Sequence, residues 1–175
     1  LAQAFIGSQL PMHFILGGLA GSYLAKNLCF ATLPISMIII GSTISAPLLS
    51  NFMQKFGRRK GFIIGTFGGA IGATISSIAL YTDSFQFLLL GSFVTGIYMS
   101  SYGFYRFAAT DLATPSFKPK AISYVMAAGL ISAILGPQLV KLTWNLTLIP
   151  FFGSYLTIIF LNSIGPLIFY FFVCP

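Results

Sequence analysis

The chain has 175 residues, 57% of them hydrophobic, 16% aromatic and only 6% charged, with nine Lys or Arg against two acids for a formal charge of +7. A soluble domain carries about a quarter of its residues as charges, so a water-soluble globule is excluded and the apolar surface has to meet lipid. The positive charge gathers at the ends of apolar runs, where loops lie beside anionic lipid, and gives no sign of nucleic-acid binding.

Charged and Gly/Pro-rich breaks divide the chain into six apolar stretches, near 1–24, 29–53, 61–80, 85–107, 120–140 and 150–173. Each approaches the roughly 20 residues of a membrane-spanning helix, and none alternates as a barrel strand does. The first stretch opens at Leu1 with neither an initiator Met nor a charged leader, so the chain reads as part of a longer one. Within it Gln9 and His13 stand four residues apart and share a helix face. That polar pair suits contact with a solute or a proton, although a buried His bonded to a neighbouring backbone is the equally simple reading.

After the second stretch come Lys55, Arg58, Arg59 and Lys60 within six residues. By the positive-inside rule this turn is cytoplasmic, as is the loop near 106–120 with Arg106, Lys118 and Lys120; the opposite loops hold Lys26 and Lys141. Both chain ends are then expected on the cytoplasmic side. The third stretch carries Gly65, Gly68, Gly69 and Gly72, two GxxxG pairs that predict close packing against a neighbour, with Phe and Ile turned to lipid. On the fourth, Tyr98, Ser101 and Tyr102 lie on overlapping faces as candidates for a solute cavity, and Tyr105 reads as an interfacial anchor. Gly129, Gly136 and Pro137 on the fifth are expected to bend it, since a mid-helix proline removes a backbone hydrogen bond.

Catalysis finds no support: there is one His, no acid pair and no phosphate-binding glycine loop. Cys29 and Cys174 make no CxxC or Cys/His spacing, so neither a metal nor another cofactor is expected.

The turn Ser50-Asn51-Phe52-Met53-Gln54-Lys55-Phe56-Gly57-Arg58-Arg59-Lys60 resembles the cytoplasmic loop signature of the major facilitator superfamily, with Lys55, Gly57, Arg58 and Arg59 on its basic, glycine and two basic positions. Ser50 replaces the signature's first glycine and Gln54 its acid, so the charge network of that loop lacks one member here. The Gly129 and Gly136-Pro137 pattern resembles the glycine-rich fifth helix of antiporters in the superfamily, and the run Tyr105–Asp111 with Pro115 and Lys118-Pro119-Lys120 resembles a bacterial permease subgroup. The resemblance implies an all-α, six-span N-terminal half of a twelve-helix permease in a bacterial inner membrane, moving a small solute by alternating access against a second six-helix half or a second copy. It further implies a conformational latch made of Gln54, Lys55, Gly57, Arg58 and Arg59. Asp111, the one cytoplasmic-side carboxylate, is the expected partner of Arg58 or Arg59; capping a short helix in the 108–120 loop is its other reading. The alternative in a different class is a non-transporting six-helix module that assembles through its glycine faces.

Overall fold

The computed structural model describes residues 2–111, 114 and 116–172, and its described elements are helical. Six helices succeed one another: α1 (Gln9–Leu24), α2 (Leu33–Phe56), α3 (Arg58–Tyr81), α4 (Phe85–Gly103), α5 (Lys118–Thr143) and α6 (Phe152–Phe172). Shorter pieces punctuate them, namely a helix Ala2–Phe5, 3-10 turns at Ile6–Ser8 and Leu28–Phe30, and a helix Tyr105–Asp111. Four stretches, Leu28–Phe56, Arg58–Tyr81, Phe85–Asp111 and Lys118–Thr143, are long and apolar enough to cross a membrane, and Phe152–Leu167 adds a shorter apolar run. The protein is an all-α, multi-pass integral membrane protein. Cys174 and Pro115 lie outside the described residues.

Three boundaries differ from the sequence expectation. The stretch 1–24 is not one helix: it breaks at Ile6–Ser8 before α1 begins. The stretch 85–107 ends its main helix at Gly103 and restarts at Tyr105. Of the basic residues expected in a loop before position 61, Arg58, Arg59 and Lys60 instead form the first turn of α3 and Lys55 lies in the last turn of α2, because one residue, Gly57, separates the two helices. Gly57 has φ +89° and ψ 152°, and its N–H donates to the Met53 carbonyl at 3.0 Å. That φ/ψ combination is open essentially to glycine alone.

The bundle is built around α3 and α4, with α2 against α4, α6 against α3, and α1 against α5. Small residues set these approaches. A Cβ on Gly65, Gly68, Gly69 or Gly72 would run into Ser101, Ile97, Asn162 or Thr95 respectively, so the α3 stripe lies against α4 and α6. At the α2–α4 crossing, Gly41 and Gly96 meet backbone to backbone. Phe67, Ile71 and Ile78 of α3 are exposed, an apolar face suited to lipid. Some hydroxyls inside the bundle are satisfied within their own helix, as Thr95 is on the Gly91 carbonyl (2.9 Å) and Ser77 on Ala73 (2.8 Å).

Two apolar clusters form the core. One joins Met12, Leu16, Leu80, Leu88, Tyr155 and Ile158; the other joins Ile6, Leu49, Met53, Phe62, Tyr98 and Tyr105. Tyr105 is therefore not an interfacial anchor. Its ring packs edge-on against Phe62 at 4.9 Å between centroids, because the restart of the helix after Gly103 turns it inward.

Candidate functional site

At the basic end, Arg58 occupies the first position of α3 with Arg59 and Lys60 behind it. Three cations at a helix N-terminus oppose the macrodipole, and α3 has no acid in its first turn. The compensating carboxylate arrives from the end of the Tyr105–Asp111 helix. Arg58 Nε lies 2.5 Å from Asp111 Oδ2 and its Nη2 donates to Oδ1 at 3.0 Å, a two-pronged pair tying the α2–α3 turn to the α4–α5 connection. The two side chains remain 35% and 45% exposed, so water and salt weaken the attraction. Gln54 and Arg58 border an open cavity of about 300 Å³ with Phe104 and Phe107. Lys55 is exposed in the last turn of α2, where its charge favours the helix end, and the Lys60 ammonium lies 5.9 Å from the Phe56 ring centroid.

In the interior, Gln9 and His13 are both buried on the inner face of α1, yet they do not pair. The Gln9 amide instead exchanges two hydrogen bonds with Asn162 of α6: Asn162 Nδ2 donates to Gln9 Oε1 at 2.5 Å and Gln9 Nε2 to Asn162 Oδ1 at 3.1 Å. Asn162 also donates to the Ile158 carbonyl at 3.0 Å. Gln9 falls in sequence between Ile6 of one apolar cluster and Met12 of the other, so this amide pair marks a polar layer between them. His13 Nε2 is buried without a hydrogen-bond partner among the described residues, and its ring lies 6.3 Å from that of Tyr155.

The break ahead of α1 is held by side chains from other helices. Its 3-10 geometry leaves carbonyls that an unbroken helix would have used. The Tyr98 hydroxyl donates to the Ile6 carbonyl at 2.7 Å, and Ser132 of α5 donates to Gln3 O at 2.6 Å. Ser8 closes back on Phe5 at 2.6 Å. Tyr98 is fully buried in this role; Ser101, also buried, bonds the Tyr98 carbonyl at 3.0 Å and fills the space against Gly65. Gly136 lets α5 approach Pro11 and the Ser8 carbonyl, while Pro137 beside it lies inside α5 without ending the helix.

Of the aromatic and serine candidates, Tyr102 lines an open cavity. This cavity, of about 250 Å³, is lined by Gln3, Tyr102, Arg106, Val125, Met126 and Gly129. Gln3, Asn162 and Ser132 escaped the sequence reading as site residues because amides and hydroxyls in an apolar run carry no spacing signature. Arg106 was legible only as a loop charge. Among the described residues no three His, Cys, Asp or Glu come together as a metal site.

The family of sugar (and other) transporters matches residues 20–104. The riboflavin transporter RfnT of Brucella anthropi is 40% identical over 160 residues, 90% of this chain and 40% of that protein. Part of the chain thus has an MFS-type transporter fold. Two Bacillus subtilis proteins described as uncharacterized MFS-type transporters are also similar: YddS at 30% identity over 80% of this chain and 32% of its own length, and YdeG at 28% over 85% and 34%. The chain spans about two-fifths of the first of these relatives and about a third of the other two. No solved structure matches the chain at a significant level. The fold is a transport fold and not a catalytic one.

Proposed function

We propose that this chain is the N-terminal six-helix half of an alternating-access carrier in a bacterial inner membrane, with both of its ends cytoplasmic, and that its solute is a flavin. The observation that carries the reading is the 40% identity to a riboflavin transporter along 90% of the chain, a likeness that runs through all six helices. The geometry supports it in two places. A broken first helix braced by Tyr98 and Ser132 is the kind of discontinuity from which carrier sites are built. The Arg58–Asp111 pair joins two connections at the basic end, so that end moves as one rigid cap when the half rocks against its partner bundle.

In this mechanism the cap is the latch. The partner half docks over the cavity beside Gln54 when the cytoplasmic side closes, and a group from that half meets the amide and Arg58. Gly57 holds the turn and Lys55, Arg59 and Lys60 face the anionic leaflet. Uptake of labelled riboflavin by a riboflavin auxotroph expressing the full-length protein tests the reading. Growth at limiting riboflavin with saturable uptake is the expected result; neither growth nor uptake at verified membrane abundance refutes the flavin assignment, and failure with a panel of other solutes as well favours a non-transporting module.

A further inference from the structure

We propose that an outward-facing groove between the basic ends of α2 and α3 holds one anionic phospholipid, with an acyl chain against Phe52 and Ile64 and the phosphate between Lys55 and Lys60. The site is independent of the solute that the carrier moves, and it narrows the general attraction of this end for anionic lipid to a single bound molecule.

The groove follows from the way the two helices part. Joined through Gly57 alone, α2 and α3 nevertheless pack more extensively on α4 than on each other. Gly41 of α2 meets Gly96 of α4, and Gly68 of α3 meets Ile97, so α4 forms a floor between them. What remains open is a cavity of about 240 Å³ bordered by Ser45, Leu48, Leu49 and Phe52 of α2, Ile64 of α3 and Ile97 of α4. Its one side-chain hydroxyl, on Ser45, is spent on the Gly41 carbonyl at 2.6 Å, so no side chain there asks for a polar occupant. Hydrocarbon fits, held by dispersion contacts. A membrane-spanning helix, about 10 Å across, covers such an opening without entering it.

Helical spacing then places a cation above each wall. Lys55 follows Phe52 by three residues and Lys60 precedes Ile64 by four, so each lies about one turn nearer the basic end, on the same helix face as a groove residue. Both lysines are exposed, and neither has a carboxylate: Asp111 is held by Arg58, and Asp83 lies at the opposite end of α3. Lys60 leans back over α2, its ammonium 5.9 Å from the Phe56 ring centroid, and Phe56 in turn contacts Phe52, with ring centroids 4.7 Å apart. The path from apolar groove to cation is thus continuous across both helices. A phosphate at that level meets two ammonium groups while the acyl chain lies in the groove, and the exposed Phe67 and Ile71 continue the apolar surface along α3. A zwitterionic ethanolamine headgroup fits less well, because its own ammonium would face Lys55 and Lys60 where the one carboxylate of this end is taken by Arg58.

Native mass spectrometry of the purified full-length protein in mild detergent, titrated with phosphatidylglycerol or with phosphatidylethanolamine of the same acyl chains, tests the site. The expected result is one phosphatidylglycerol bound about ten-fold or more tightly than phosphatidylethanolamine, without competition from glycerol 3-phosphate, which carries the charge but no acyl chain. Lys55→Gln combined with Lys60→Gln should abolish the preference. Lys118→Gln combined with Lys120→Gln, the same loss of charge at the start of α5, should keep it. Equal affinity for the two lipids overturns the proposal. So does competition by glycerol 3-phosphate, which marks a phosphate site without a groove, and so does an equal loss in the two double variants, which marks an effect of net charge. Because the lipid comparison is made on the unmutated protein, misfolding of a variant does not blunt it.

Discussion

Replacing Gly57 by Ala isolates one physical quantity, the backbone strain of the α2–α3 turn. Nothing lies within 4 Å of where the new Cβ would stand, so no steric contact is added. The whole cost comes from holding an L-residue at φ +89°, ψ 152°, a region that costs on the order of 1–3 kcal/mol for any non-glycine side chain. At about 1.4 kcal/mol per tenfold, that is roughly a five- to 150-fold loss in the population that keeps this turn. Asn, which tolerates the left-handed helical region, should do no better than Ala, because ψ 152° lies far from that basin. Phe56→Leu is the control, an exposed ring one residue away whose only described ring partner is Phe52, 4.7 Å distant. Thermal unfolding in detergent and initial uptake rate at equal membrane abundance read the effect, with Ala and Asn variants both impaired and the Leu control near wild type. An Ala variant as stable and active as wild type would show that the turn relaxes to another conformation without cost, and would refute the argument.

Other consequences follow from the same geometry. Gln9→Leu or Asn162→Leu each strands a buried amide, and a double-mutant cycle on unfolding should return a coupling of about 1–2 kcal/mol, the double variant being more stable than the two single losses sum to; a coupling near zero would mean the two amides act independently. Asp111→Asn should change thermal stability by less than about 1 kcal/mol, because the pair is partly exposed, yet it should alter the labelling rate of cysteines placed at the basic end of the bundle at low salt; identical labelling in both proteins would deny the pair a conformational role. Gly96→Ala drives a Cβ into the Gly41–Ser42 backbone and is expected to destabilise by about 1–3 kcal/mol, whereas Gly103→Ala, with open space around it, should be near neutral; the ranking is checked by unfolding in detergent. Tyr98→Phe removes the donor to the Ile6 carbonyl and should speed amide hydrogen exchange at the 6–9 break, a change measurable by mass spectrometry.

What could be read from the sequence were the features in which local composition fixes the physics. Apolar length decides that helices face lipid, because an unsatisfied backbone in hydrocarbon is too costly. A glycine every three or four residues decides that α3 packs closely, and a lone glycine amid four cations decides where the chain turns. Even the meeting of Arg58 with Asp111 was within reach, since the basic end of the bundle offers Arg58 no other carboxylate among the described residues. Partners chosen across the bundle were not legible. Helix spacing puts Gln9 on one face with His13, four residues on, yet Gln9 bonds Asn162, 153 positions away, because α6 lies against α1 at that level. Tyr98, Ser132 and Gln3 acquire roles from the break at Ile6–Ser8, which Pro11 announces by excluding a bond to the carbonyl four residues back, although nothing in the sequence says which side chains brace it. Arg106 passes from a loop charge to the border of a cavity for the same reason: hydropathy fixes how deep a residue lies, whereas the polar group it meets depends on which helices pack together and on the rotation of each about its own axis.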